Sequence, residues 1–475
     1  MKKIILTSLL FSIVLLVSSC KKFLEEQSQT DIIPKTAAAL NELLIGAAYN
    51  NNGRPAYDVS LRLVDDNIIQ NAYIDLGVRG NAYTWQPQTG DAPELAAGAS
   101  MWSIFYPMLM TCNTVLEYVP KVSGTVAEKE NVEGQAHLLR AYYYFMLVNF
   151  YARPYADRLS NPDQDLGVPL MLNSGLSFEG KPRNTVAEVY SQVLADLDKG
   201  IELMERSGRN DNTYRINHVA GYLLASRVHL HMGNWQKAID AATNVLSRKS
   251  DLMDLGSWGV VNQNTKPVVD RLNVESIWVF GVPDGVAVQD GTENGNYRLS
   301  DELLSLFETG DLRSSIYIRN KKSIKRPMVN IAKVGQAFRV SEALLNRAEA
   351  YAQLNKLGQT TNAQLAINDL NTLRKKRFST ASYQDLNSSG ADELLQKCAL
   401  EKRKEFFDEE SHRWFDLRRS GMPAIRHLYY ESSVKTAIYT LNDHDAAYVF
   451  QIPRIALDKN PNLVPNPEPA IRTGQ

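Results

Sequence analysis

One pattern recurs along this 475-residue chain and limits what it can fold into: a helix, a short turn containing glycine, then a second helix, with alanine where the two must approach. Residues 219–232 and 235–246 form one such pair, parted by Gly233 and Asn234. Glycine suits that turn because it adopts positive φ at little steric cost. Residues 340–354 and 363–376 form another pair, parted by Asn355, Lys356, Leu357 and Gly358, and residues 394–408 and 413–419 form a further unit. Ala238, Ala241 and Ala242, then Ala348, Ala350 and Ala352, then Ala363 and Ala366 let neighbouring helices close up. A helix pair cannot bury its apolar faces alone, so such pairs must stack. The expected fold is mostly α: a tetratricopeptide-like helix-pair (alpha-alpha superhelix) scaffold with long variable loops and a few short strands. The repeat spacing is irregular, and the first pair is interrupted between residues 150 and 184.

Other stretches carry helical periodicity too. Residues 40–49, 102–119, 133–150 and 185–204 place apolar side chains on helical stripes. Three stretches do not. Residues 65–99 are polar, glycine-containing and aromatic. Residues 251–300 are similar, with a strand-like run at 275–280. The end of the chain offers a short strand at 448–453 and a Pro/Asn-rich coil at 460–469. Long loops on a rigid frame are where function concentrates.

The opening residues point to export. Met1, Lys2 and Lys3 give a positive start, residues 4–17 are apolar apart from Thr7, Ser8 and Ser12, and Val17, Ser18, Ser19 and Cys20 follow. That is the layout of a secretory signal, too short to span a bilayer. An apolar residue and two small ones before cysteine resemble a bacterial lipobox, in which Cys20 becomes the lipidated first residue. The charged KKFLEEQ stretch that follows suits a solvated tether and resembles a surface-export signal of Bacteroidota lipoproteins. The expected division is a signal peptide at 1–19, a lipidated tether at 20–36 and one domain at 37–475. Within that domain the helical scaffold takes about 102–250 and 340–420, and ligand-facing loops about 65–100 and 251–300. Hydrophobic content of 44% and charged content of 22% are ordinary for a globular chain, and a net charge of -1 gives no bias toward nucleic acid. Cys112 and Cys398 lie in apolar helical surroundings, which favours buried free thiols and leaves a disulfide open.

Several segments, in order, resemble the SusD/RagB family of outer-membrane nutrient-binding lipoproteins. They are LRAYYYFMLV at 139–148, GVPL at 167–170, ASRVHLHMGNW at 225–235, LLNRAEA at 344–350 and LRKKR at 373–377. EKRKEFFDEESHRWFDLRRSG at 401–421 is the strongest, and Ile452, Pro453 and the NPNLVPNP run at 460–467 complete the series. The matches extend from Cys20 to Pro467. One departure is Ala152–Tyr155, where many members carry a different turn. The resemblance implies a non-catalytic protein without a cofactor, a partner TonB-dependent transporter of the SusC type, a glycan or oligopeptide ligand, and a lipid-anchored place at the outer membrane, facing the exterior.

The residues themselves narrow the chemistry. The 401–419 stretch holds six basic and six acidic side chains, a balance that reads as scaffold, with Trp414, Phe415 and Leu417 packed inward and i,i+4 pairing expected for Lys404–Asp408 and Glu409–Arg413. His229 and His231 lie two apart on a helix and point to different sides, which argues against zinc. Asp157, Asp163 and Asp165 fit a solvated acidic loop better than a calcium loop. No P-loop, G-x-G-x-x-G or G-x-S-x-G is present. A glycosidase would draw its two carboxylates from Asp65, Asp66, Asp75, Asp91 and Glu94.

Sugar rings stack on flat aromatic faces and bind their hydroxyls to amides and charged groups. On that ground the candidate ligand contacts are Tyr73, Arg79, Asn81, Tyr83 and Trp85 in the first loop and Trp258, Asn262 and Tyr297 in the second, with Asn67, Asn71 and Asn264 as further polar partners. Trp102, Trp235, Trp278 and Trp414 sit in periodic segments and read as packing. The expected function is capture of glycan or oligopeptide and delivery to the transporter. A protein-binding helical scaffold and a surface glycoside hydrolase are the alternatives. Trp85 or Tyr83 beside Trp258 in one exposed hollow is the arrangement that favours capture.

Overall fold

The computed structural model describes residues 34–49, 64–69, 77–87, 101–175, 179–209, 212–258, 267–281, 297–325, 335–388, 390–431 and 434–475. Its helices are α1 (Ala37–Leu43), α2 (Gly77–Tyr83), α3 (Met101–Tyr118), α4 (Val126–Tyr151), α5 (Val186–Ser207), α6 (His218–His231), α7 (Trp235–Arg248), α8 (Leu255–Trp258), α9 (Asp301–Ser305), α10 (Arg313–Ile316), α11 (Val340–Lys356), α12 (Asn362–Arg374), α13 (Ala391–Phe406), α14 (His412–Arg419) and α15 (Arg454–Lys459). The strands are β1 (Asn67–Ile69), β2 (Ser276–Phe280), β3 (Tyr297–Leu299), β4 (Ile318–Arg319), β5 (Lys322–Ser323), β6 (Gln336–Arg339), β7 (Ile425–Glu431) and β8 (Val434–Leu441). The expected signal segment, Cys20 and most of the expected tether lie outside the described residues. No helix among the described residues is long and apolar enough to cross a membrane.

The helices stack in sequence order. α3 packs on α4, α4 on α5, α5 on α6, α6 on α7, α7 on α11, and α11 on both α12 and α13. The mostly helical, helix-pair fold expected from the alanine pattern is what forms. Helix α4 is its centre, with every residue from Leu138 to Tyr151 buried. Glycine sets how close its neighbours come. A Cβ at Gly200 would stand 2.8 Å from the Leu138 side chain and 3.1 Å from Gly134 O, and one at Gly221 would stand 2.7 Å from Ile201.

Two capping boxes fix where the long helices start. Thr125 accepts from Glu128 N and Glu128 from Thr125 N, and Thr185 and Glu188 repeat the arrangement on α5. The first box begins α4 seven residues before the periodicity of 133–150 suggests. Its signature, Thr-Val-Ala-Glu, is legible in the sequence.

The charged 401–419 stretch is scaffold. Arg339 reaches Glu275, Glu405 and Glu409. Arg377 reaches Glu275 and Glu405, and Arg313 reaches Asp311, Glu401 and Glu405. These side chains are all buried and tie the β2–β6 ladder to α13. Burial alone would raise the Glu405 carboxyl, but the guanidiniums of Arg377 and Arg339 hold it far below the usual carboxylate range. Trp414, Phe415 and Leu417 are buried, as expected. The two i,i+4 pairs do not form, because α13 ends at Phe406 and Asp408 and Glu410 take positive φ of 58° and 46°. Lys404 turns back to Glu401, Glu409 goes to Arg339, and Arg413 goes to Asp65.

Other expectations are corrected. The first loop contains β1 and α2, and the second contains α8 and β3. Residues 448–453 are not a strand. A 3-10 turn at Ala446–Tyr448 ends there, and Phe450 N donates to Phe150 O at the end of α4 in place of a ladder. The cysteines follow expectation: Cys112 and Cys398 are buried free thiols.

Candidate ligand-facing end

The four-stranded sheet, the largest among the described residues, decides where the segments between its strands emerge. Its order is β3-β1-β7-β8. β1 is antiparallel to β3 with Ile69 opposite Tyr297, and parallel to β7 with Ile69 opposite Tyr429. β7 turns antiparallel into β8 at Glu431 opposite Val434. The last residue of β1, the first of β3 and the turn of the hairpin therefore share one end of the sheet. From that end the chain leaves at Ile69 toward 70–76, arrives at Tyr297 from 282–296, and turns through 432–433. Tyr429 and Tyr439, both half-buried, meet edge to face across the hairpin with centroids 5.9 Å apart. At the outer edge Ile438 exchanges two backbone hydrogen bonds with Gln475, at 2.8 and 3.0 Å.

One histidine pins the first of these segments to this sheet. The His427 ring lies between Tyr83, at 4.2 Å, and Trp85, at 4.0 Å, stacked on both. Its Nδ1 stands 2.6 Å from Tyr83 O and its Nε2 2.8 Å from Val64 O. Burial pushes its pKa down to about 4, against the two carbonyls and the Asp65 charge, which act the other way. The Tyr83 hydroxyl donates to Leu428 O at 2.8 Å, and Arg472 donates to Trp85 O. Tyr83 is 0% and Trp85 1% exposed. The expectation that these two rings present faces to a ligand is therefore corrected: both are buried, each with one face stacked on His427, and among the described residues neither stands exposed beside Trp258.

The acidic pair beside them is also occupied. Asp65 receives Arg413 Nε at 2.8 Å and Nη2 at 2.7 Å, and Asp66 receives Arg403 Nε at 2.7 Å. Burial opposes both charges. Arg413 and Arg403 still hold Asp65 below its ordinary value, whereas burial prevails at Asp66 and raises it. Two of the five carboxylates considered for glycoside hydrolysis thus serve as guanidinium partners. Asp75, Asp91 and Glu94 lie outside the described residues.

The remaining candidates divide as follows. Trp258 closes α8, half-buried against an apolar cluster that includes Leu255, Leu299 and Leu303. Asn81 is partly exposed on α2, and Asn67 is buried in β1. Tyr73, Asn71, Asn262 and Asn264 lie outside the described residues, as do the side chains of Arg79 in α2 and Tyr297 in β3. Among the described residues no group of His, Cys, Asp and Glu is placed to hold a metal ion. His231 is buried beside Asn149 and Phe145. Asp157 takes Leu159 N and His444, and Asp165 takes Asn161 N. Sequence reasoning missed the β7–β8 hairpin and its tyrosines. The alternation of IRHLYYE with VKTAIYTL around a Ser-Ser turn is the signal that could have found it.

Comparison with known proteins agrees with this architecture. A family model described as starch-binding, associating with the outer membrane, matches residues 22–230, and a SusD family model matches residues 310–468. A putative sugar binding protein from Bacteroides vulgatus superposes with a TM-score of 0.73 at 22% identity, covering 93% of this chain and 100% of its own. A SusD-like carbohydrate binding protein of the same species gives 0.71 at 21%, covering 90% and 98%. Surface glycan-binding protein A from Bacteroides uniformis gives 0.66 at 19%, covering 91% and 99%. At these identities the likeness is one of fold. No curated protein matches the chain in sequence.

Proposed function

Because the chain belongs to the SusD/RagB family, we propose that it is a cell-surface lipoprotein that captures a glycan without altering it and passes it to a TonB-dependent transporter of the SusC type. Lipid on Cys20 holds it to the outer membrane, facing outward, and residues 20–36 act as a tether to one folded domain. Tethering matters physically, since a binder fixed beside its transporter raises the local ligand concentration and needs only modest affinity.

The observation that carries the reading is the sheet register at Ile69, Tyr297 and Tyr429, which brings the segments 70–76 and 282–296 out at one end of a rigid frame. Loops on a fixed scaffold are suited to recognition. On this reading Tyr73, Arg79, Asn81, Trp258, Asn262 and Tyr297 make the ligand contacts, and Tyr83 and Trp85 hold their own segment to the sheet through His427. The guanidinium partners of Asp65 and Asp66 speak against hydrolysis by that pair.

The test is calorimetric titration of the soluble chain, starting after Cys20, with a panel of neutral oligosaccharides and oligopeptides, followed by chromatography of the recovered ligand. Saturable binding of an oligosaccharide recovered intact is the expected result. Shortened oligosaccharide would establish a hydrolase instead, and binding of peptides alone would overturn the glycan assignment.

A further inference from the structure

β3 and β8 are the outer strands of the four-stranded sheet. β3 is backed by the β4–β5 hairpin, where Leu299 N donates to Lys321 O at 2.8 Å. β8 is eight residues long, and Lys435 is its one charged residue. Its register to β7 sets Leu428 opposite Ile438, yet Ile438 exchanges its two backbone bonds with Gln475, on the outer side. Thr440, two positions on, turns its N–H and C=O to that same side. Among the described residues no strand and no backbone hydrogen bond meets them there. An edge this long, rich in β-branched and aromatic residues and poor in charge, is a template for a further strand.

Residues 472–475 lie against this edge as a strap. Arg472 moors it: its N donates to Gln86 Oε1 at 3.2 Å, its O accepts from Gln86 Nε2 at 2.9 Å, and its guanidinium reaches Trp85 O and Asp445. Gly474 is pressed onto the strand, since a Cβ there would overlap the Ala437 Cβ and stand 3.1 Å from the Tyr439 ring. Gln475 then takes the outward bonds of Ile438. We propose that the outer edge of β8 is a self-pairing surface, fitted to β8 of a second copy of this chain, and that the strap holds it closed. The sequence of the strand names the partner. Antiparallel pairing about Ile438 sets Ile438 opposite itself, Ala437 opposite Tyr439, Thr436 opposite Thr440 and Lys435 opposite Leu441. Residues of the same parity face outward on both copies, so the ladder closes, and no like charges meet. The result is a two-fold, closed dimer. Gln475 occupies the central position of that ladder and excludes it.

Sedimentation equilibrium of the chain starting after Cys20, unaltered and as Gly474→Val, tests this. The new side chain meets Ala437 and lifts the strap, while Arg472 and its bonds to Gln86 stay in place. The unaltered chain is expected to remain monomeric, and the mass of Gly474→Val to double as its concentration rises. A chain that stops at Thr473 should behave as Gly474→Val does, and it decides if that variant does not fold. Amide hydrogen exchange locates the contact: exchange at Ile438 and Thr440 slows in the dimer. Variants that stay monomeric, a dimer in which those two amides exchange as before, or equal dimerisation of the unaltered chain each overturn the proposal. Monomeric variants whose β8 amides slow only on addition of a synthetic Thr-Val repeat peptide overturn the second copy as the occupant.

Discussion

Arg339 lies at the meeting point of Glu275, Glu405 and Glu409, and it is shielded from solvent. Removing one partner of a buried ion pair leaves charges that water cannot reach, at a cost of about 3–5 kcal/mol. Arg339→Met should lower the urea unfolding free energy by that amount while leaving far-ultraviolet dichroism helical. The same cluster sets the response to acid. Glu401, pushed up by burial but pulled down more strongly by Arg313, Lys404 and Arg374, titrates at about 2 against an ordinary value of 4.5. The folded state thus favours its charged form. That contribution is complete above the unfolded value and disappears as the pH falls toward about 2, and Glu405 acts in the same direction. Stability measured across pH should hold near neutrality and decline steadily below about pH 5. At the candidate ligand-facing end, Trp258→Ala should weaken oligosaccharide binding about tenfold, worth ~1.4 kcal/mol. Residue-level reading of the loops went astray at Tyr83 and Trp85 for a physical reason. An aromatic ring in a polar segment looks available until its partner is known, and His427 lies 344 positions from Tyr83.

Helices were the most legible elements. Their apolar stripes and alanine spacing fix the pairing, because close-packed antiparallel neighbours leave room for little else. Glycine inside α4, α5 and α6 works in the same way but gives no periodic signal. Gly200→Ala, which on an exposed helix would stabilise, should here cost about 1–3 kcal/mol, since the new Cβ meets Leu138 and Gly134 O. Chemical denaturation compared with wild type measures it. Short elements were the least legible. β1 and β3 have three residues each and owe their existence to neighbours from distant sequence: each to the other, and β1 also to β7. No window of local pattern contains that information. The long hairpin β7–β8 did carry its own alternation, and the Thr-x-x-Glu boxes carried their own helix starts.

The whole molecule joins two kinds of order. One is the stack of helix pairs, held by apolar faces and a buried network of opposite charges. The other is the sheet of β3, β1, β7 and β8, where strands from three distant parts of the sequence meet and release their connecting segments on one side. A frame of this kind tolerates changes of sequence in the segments it holds without loosening. The decisive measurement is a crystal structure of the soluble chain with an oligosaccharide identified by titration. Intact sugar seated beyond Ile69 and Tyr297, touching residues of 70–76, 259–266 or 282–296, is the result expected. Sugar lodged on the outer faces of α10 to α13, or cleaved within a cleft, would contradict it.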